Sequence, residues 1–470
     1  SVSRGLGDVY KRQILDNADM QDCVDVGLIA DISEDLPNYE NLMKYDEQIS
    51  LFNDSINEVI GTEGVYAIPA EMNSNGPTEY KEDTVAVMPR LEWDHYVEVG
   101  APEMKNLDDL LDTLKKIQDA YPTNEAGDKT YALSLWPDWD GTSIENVNQL
   151  TKWYGQEVNG SILLGTDNSI TPLTDKDGAY YKMLKFLYKA NQMGLVDPDS
   201  ATQDWNAACD KMRQGRVHLF WYNWQYGFWN SPAKGEARQN YRGIPLEDLN
   251  IYQASDTYYG DGRAWAVGSN VSDEDKARIL EFMDWLCSPE GLTMQHIGQE
   301  GFIYTVNDDG TYTLTDAGMT RFADDPQVPE ELGGGSWTDG NNQINQWLVA
   351  SIEMNPETGE TFGSDYWASF LEKNNTATNK EWSEKFGSET EVSYLEENGM
   401  LNIVPNVNLV LPIDTTDIAL IRSQCGDQVK ATSWQAIFAS DDAEFDQMWD
   451  EMCVTLEGLG WDQLVEFDTD

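Results

Sequence analysis

Residues 180–229 constrain the fold more than any other segment, because two helices, two stop signals and a strand follow one another in them without interruption. Tyr180, Met183, Leu184, Leu187, Tyr188 and Asn191 recur at i, i+3, i+4 spacing, which predicts an amphipathic helix. Gly194 ends it, and the run Asp197, Pro198, Asp199 makes the turn. A second, shorter helix carries Trp205, Cys209 and Met212 and closes at Gly215. Residues 217–222 are then an apolar run of strand length, suited to burial. At its end come Trp221, Tyr222, Trp224, Tyr226, Phe228 and Trp229, all within nine positions. A helix–turn–helix–strand unit that delivers aromatic rings to a strand exit predicts a binding cleft at the mouth of a domain.

A chain of 470 residues is long enough for two or three lobes with sizeable cores. A hydrophobic content of 40% excludes wholesale disorder, and no apolar run reaches the ~18 residues of a membrane span. The formal net charge of −54 excludes nucleic acid and anionic lipid as partners, since both need Lys and Arg. Such a charge serves solubility when it is spread over a surface; a cationic ligand is the functional rival. Cys23, Cys209, Cys287, Cys425 and Cys453 form no CxxC pair, so neither zinc nor redox chemistry is indicated. Cys209 and Cys287 fall at apolar helix positions and read as core residues. Residues 1–13 carry three basic side chains and one acidic in an otherwise acidic chain, and read as a non-native scar.

Among chemistries, a glycoside hydrolase is the first enzymatic candidate, but with 84 acidic residues carboxylate pairs arise by chance. His95, His218 and His296 are scattered without HxH or HxxE spacing, and each reads as a surface or satisfied core residue. Asp138, Asp140 and Gly141, like Asp175, Asp177 and Gly178, hold two oxygen ligands before a glycine. Neither has the further ligands of a calcium loop, and both read as turns. The aromatics are the positive signal, because sugar rings pack their C–H faces on Trp and Tyr while their hydroxyls seek polar partners. Trp221, Asn223, Trp224 and Tyr226 follow one strand end, and Trp136, Trp139 and Asp140 follow another. Tyr66 and Glu71 flank a third strand, Trp265 lies in a fourth, and Trp337 follows Gly333, Gly334 and Gly335. Core packing competes for each ring, and is the preferred reading for Phe228 and Trp229.

The order of several short words adds a resemblance. Residues 194–205 contain Gly194, Leu195, Asp197, Pro198, Asp199 and Trp205, and Met212 and Gly215 precede the aromatic strand exit. Residues 64–69 read GVYAIP, residues 91–111 hold a helix pair, residues 298–301 read GQEG before Tyr304, and residues 433–465 close the series. In this order the chain resembles the family 1 extracellular solute-binding proteins of ABC importers. The resemblance implies an α/β fold of two lobes, of the periplasmic-binding-protein type II, with several crossings between lobes and a helical C-terminal region. It implies a first lobe of residues 14–87 and 265–303 that lacks its start, and a second of residues 88–264 and 304–470. It also implies crossings near residues 84–90, 262–265 and 301–305. The implied function is capture of a carbohydrate between the lobes and delivery to permease subunits, by a monomeric lipoprotein at the cell surface without catalysis, cofactor or metal. Neither a signal peptide nor a lipidation Cys opens the sequence. The alternative is a secreted carbohydrate-active enzyme. Trp224 matches the ligand-stacking position of the family.

Local signals place further elements. Asn106 is a cap for a helix over 107–120, and Ser272 for one over 274–287. Strands are expected over 65–70, 84–88 and 130–135, a helix over 146–154, and a hairpin over 304–315 turning at Asp309 and Gly310. The alternation of strands and helices predicts largely parallel sheets.

Overall fold

The computed structural model describes residues 12–74, 78–256, 260, 262–342, 347–405 and 414–469. The chain divides into two compact units: residues 1–81, 254–373 and 405–413 form the first, and residues 82–253, 374–404 and 414–470 the second. Both mix helices with small sheets.

The first unit is built on strand Arg263–Val267, flanked on its two sides by Arg12–Asp16 and Ala67–Pro69, both antiparallel to it. Side chains alternate across a strand. Trp265 and Val267 therefore join Ile68, Leu280, Met283 and Leu286 in one core, while Ala264 and Ala266 join Met20, Phe52 and Ile56 in another. Helix Asp273–Leu286 supplies the first core and starts at Ser272, whose side chain accepts from Asp275 N–H.

The second unit centres on strand Val87–Glu92, antiparallel to Leu219–Tyr222 on one side and Tyr241–Gly243 on the other. Every residue of the central strand is buried, Arg90 included. The Arg90 guanidinium donates through its two terminal nitrogens to the carbonyls of Met88, Val85 and Trp221 and to Glu391 Oε2 at 2.8 Å, which pairs the charge inside the core and leaves Nε without a partner. Helix Leu107–Ala120 turns Leu110, Leu111, Leu114 and Ile117 inward. Its first N–H groups are capped by Asn106, which accepts from Asp108 N and Asp109 N. Helices Ala179–Gln192 and Trp205–Arg213 end before Gly194 and Gly215, both at positive φ (70° and 64°), where glycine carries no steric penalty. The C-terminal helices Thr416–Ile437, Asp442–Leu459 and Trp461–Thr469 also belong to this unit. Ser433 Oγ lies 3.0 Å from Tyr180 Oη.

Several expectations are corrected. The sheets are not largely parallel: the ladders whose register is described run antiparallel, and parallel neighbours occur as isolated bridges such as Tyr131 with Val217 and Leu133 with Val196. The expected strand over 130–135 is one such place. There Ala132 N donates to Gln118 Oε1 and Leu135 N to Ser200 Oγ, so side chains take ladder positions. Residues 304–373 lie in the first unit, not the second. Tyr304, Leu314, Trp337 and Trp367 bury themselves with Ile297 and Ile303, and Leu348, Val349 and Phe362 enter the core around Trp265. The chain changes unit near residue 81, beside the expected 84–90, but near 253 rather than 262–265 and near 373 rather than 301–305. Of the expected scar, residues 1–11 lie outside the described residues, whereas Arg12 and Gln13 pair opposite Val267 and Ala266. Gly333, Gly334 and Gly335 form a turn within the first unit, closed by Val328 N donating to Gly335 O.

Candidate functional site

In the second unit three elements converge to assemble one continuous group of rings. The loop after residues 130–135 carries Trp136 and Trp139. Helix Trp205–Arg213 carries Trp205 at its first position, where Asp204 caps by accepting from Ala207 N. Asp138 Oδ2 accepts from Trp205 N at 2.7 Å and so ties loop to helix. The strand Leu219–Tyr222 and the turn after it supply Trp221, Tyr222 and Trp224. Gln225 Oε1 clamps this exit by accepting from both Trp221 N (2.8 Å) and Tyr222 N (3.0 Å), and Asn223 N donates to Ala86 O.

The rings form layers. Trp136 and Trp221 are fully buried and stack with centroids 5.6 Å apart and planes 9° apart. Trp205 and Tyr222 are half-buried above them: Trp205 lies 4.7 Å from Trp136 and 4.6 Å from Trp139. Trp139 and Trp224 form the outer layer, 39% and 40% exposed, and 5.9 Å apart. Trp224 stacks on Tyr222 at 4.7 Å and meets Trp205 edge-on at 5.3 Å. The offset and edge-on contacts are those that ring quadrupoles favour, so the group is self-supporting.

Polar atoms lie beneath the rings. Asn146 Nδ2 donates to Trp136 O at 2.7 Å and Gln203 Nε2 to Leu135 O at 2.6 Å, which fixes the loop from below. Asn146 Oδ1, Gln203 Oε1 and the indole nitrogens of Trp136 and Trp221 are buried without a hydrogen-bond partner. Burial, with the Glu145 carboxylate adding to it, pushes the Tyr222 phenol well above its usual range, so it stays a neutral hydroxyl. Asp140 has both oxygens engaged: Oδ1 accepts from Glu145 N at 2.9 Å and Oδ2 from Trp434 Nε1 at 2.7 Å. Those bonds make it a brace for the loop that presents Trp139.

The residues singled out in the sequence thus separate. Trp139 and Trp224 are exposed, and Asn223 and Tyr226 are half-buried in the same turn. Trp136 and Trp221 are corrected from ligand contacts to the base of the group, because neither exposes any surface. Trp265 is corrected to a core residue of the first unit, where its strand is covered on both faces. Trp337 is likewise core, packed edge-on against Phe322 at 4.9 Å. Tyr66 and Glu71 are half-buried in the first unit, and Glu71 takes a left-handed φ of 61° with its N–H donating to Trp347 O. Trp205 and Tyr222 were not among the ligand candidates, although they fill the middle layer. The signal for Trp205 was its place directly after the Asp204 cap, opposite the loop carrying Asp138. Trp229 packs as expected: its ring lies against Gly215, where a Cβ would come within 2.5 Å of it. The two turn motifs are turns, with Asp175 Oδ1 accepting from Asp177 N.

Exposed large rings over a buried base are suited to packing against apolar C–H faces, and the fold that carries them has relatives. A profile of the bacterial extracellular solute-binding proteins matches residues 12–329, and the chain belongs to that family. No curated protein matches it at a significant level. Among solved structures it is similar to the Streptococcus pneumoniae ABC-transporter substrate-binding protein FusA, solved with kestose. Identity there is 17% over 98% of this chain and 87% of that one, with a TM-score of 0.59. A human-milk-oligosaccharide (HMO) binding, ABC-transporter-associated solute-binding protein from Bifidobacterium longum infantis shares 16% identity over 98% and 87%, with a TM-score of 0.56. The alginate-binding protein AlgQ2 shares 13% over 97% and 84%, with a TM-score of 0.57. These likenesses establish a common fold. Among the described residues, no helix is long and apolar enough to cross a membrane.

Proposed function

We propose that this chain is the substrate-binding component of an ABC importer and captures an uncharged oligosaccharide on the ring group of the second unit. The observation that carries the reading is the layering: Trp139 and Trp224, each about two-fifths exposed, lie over a buried Trp136–Trp221 stack. Successive sugar rings present alternating apolar faces, and two neighbouring aromatic faces suit an oligomer better than a single small solute. The similar solved proteins are a kestose complex, an HMO-binding protein and an alginate-binding protein, which supports the same ligand class here. The net charge of −54 disfavours the anionic members of that class through like-charge repulsion. In this reading the protein acts as a monomer held at the cell surface by a lipid anchor. It performs no covalent chemistry and passes its ligand to permease subunits.

The test is calorimetry against a panel of neutral oligosaccharides, with chromatography of each mixture afterwards. Binding near micromolar, about −8 kcal/mol, a raised melting temperature and unchanged glycans are expected. Shortened products would replace this reading with the hydrolase.

A further inference from the structure

A second cluster in the same unit uses none of the ring residues. Glu92 ends the strand Val87–Glu92 and occupies the cap position of the short helix Trp93–Glu98, yet its side chain makes no capping bond. Its Oε2 instead lies 3.1 Å from Nδ1 of His95. Asp94 is the third member, its Oδ1 accepting from His95 N at 2.8 Å. One ligating atom from each of the three residues lies within 4.8 Å of the others.

Two further observations separate this cluster from a surface patch of acids. Glu92 is only 5% exposed. His95 Nδ1 is sealed from solvent and has no partner in hydrogen-bond geometry, despite the nearby carboxylate oxygen. Buried imidazole nitrogens ordinarily find a partner, so an orphan aimed at a carboxylate calls for an explanation. Two ligands of a tetrahedral ion with bonds of about 2.0 Å lie about 3.3 Å apart, and the observed separation of 3.1 Å fits that edge. The imidazole is also held in place. It stacks on Tyr121 at 3.6 Å and meets His218 edge-on at 5.6 Å, while Tyr121 donates to Glu98. Glu98 and Glu125 add negative charge to the surroundings. Two cations also act on the cluster: Lys234, over the Trp229 ring, favours the charged form of Glu92, and Arg238, paired with Glu381, favours that of Asp94.

We infer that Glu92, Asp94 and His95 bind one divalent transition-metal ion of the zinc type, through one imidazole nitrogen and two carboxylate oxygens, with water completing the shell. One nitrogen and two oxygens suit zinc and its neighbours, whereas calcium takes six to eight oxygens. The ion would clip the end of the central strand to the helix that follows it, and so stabilise the second unit.

The experiment uses the whole chain stripped with chelator and titrated with Zn²⁺ and Co²⁺ in millimolar Mg²⁺, which occupies the exposed carboxylates of so acidic a protein. One equivalent of Zn²⁺ bound at micromolar affinity or tighter, a raised melting temperature and visible Co²⁺ bands of a nitrogen–oxygen site are expected. His95→Gln and Glu92→Gln should abolish the stoichiometric uptake, and Asp94→Asn should weaken it at least about tenfold. Weak uptake at many sites without Co²⁺ bands, or tight uptake unchanged in these variants, would overturn the inference and leave a proton-sharing Glu92–His95 pair. Circular dichroism of the metal-free variants separates a lost ligand from a lost fold. The Co²⁺ spectrum of the wild-type chain decides the matter if the variants do not fold.

Discussion

Replacing Trp224 by Ala tests whether the outer ring is there for a ligand or for the fold. A fully buried Trp costs about 3–5 kcal/mol when truncated, a sum of lost transfer energy and an empty cavity. Trp224 is 40% exposed, so only about three-fifths of the transfer term applies, and an opening at the surface leaves no sealed cavity. Its stacked contact with Tyr222 at 4.7 Å is its closest ring contact, of a kind worth about 0.5–1.5 kcal/mol. The expected loss of stability is therefore about 2 kcal/mol, read from the urea midpoint at unchanged slope. Binding should weaken by about 1–3 kcal/mol, roughly 5- to 150-fold in dissociation constant. Trp221→Ala is the internal standard, because that ring is fully buried and should lose the whole 3–5 kcal/mol. Calorimetry and urea unfolding on both variants give four numbers. A Trp224→Ala protein whose folded fraction binds as tightly as wild type, or whose stability falls as far as that of Trp221→Ala, would refute the reasoning and leave Trp139 as the exposed candidate.

Three other outcomes follow from the same structure. Glu391→Gln leaves the Arg90 guanidinium buried without its counter-charge, and should cost about 3–5 kcal/mol in urea unfolding; a loss under about 1 kcal/mol would mean that the three carbonyls alone satisfy Arg90. Asp204→Ala removes the cap beneath Trp205 and should cost about 1 kcal/mol of stability together with a several-fold loss of oligosaccharide affinity; unaltered affinity would detach Trp205 from the site. His296 is pushed down from 6.5 to about 4 by burial, against the bond between its Nε2 and Val349 O. The unfolded chain takes up a proton that the native ring refuses, so this stability is intact above pH 6.5 and lost as pH falls towards 4, by up to about 3 kcal/mol. His296→Gln should flatten that part of the acid slope, and an unchanged slope would place the titration elsewhere.

What could be read in advance was what is local. Asn106 and Ser272 mark helix starts because a side-chain oxygen two or three residues upstream satisfies a free N–H, and both helices begin where those caps fall. Gly194 and Gly215 mark helix ends because only glycine takes their left-handed φ without strain. Partners distant in sequence were not legible. Nothing near residues 130–135 announces that Gln118 and Ser200 side chains will take ladder bonds there. Strand sense fails for the same reason, since alternation of element types does not say which strands become neighbours. Facing was ambiguous where strands are covered on both sides: Leu219, Phe220 and Trp221 are buried in succession, so period-two alternation carries no message about which ring opens to solvent. Trp265 misled in the same way.

The residues misjudged as contacts still account for the site. An exposed Trp on a free loop would have to surrender rotamer and backbone freedom on meeting a ligand, and that ordering subtracts from affinity. Trp139 and Trp224 have little of this freedom left. Beneath them Trp136 and Trp221 stack face to face. The carbonyl of Trp221 is held by Arg90 at 2.7 Å and its N–H by Gln225, while the carbonyl of Trp136 is held by Asn146. Asp140 closes the loop against Trp434. The buried aromatics and the buried ion pair thus do by pre-organisation what the exposed rings could not do alone. This explains why the proposed ligand surface sits where a core strand ends rather than on an outlying loop.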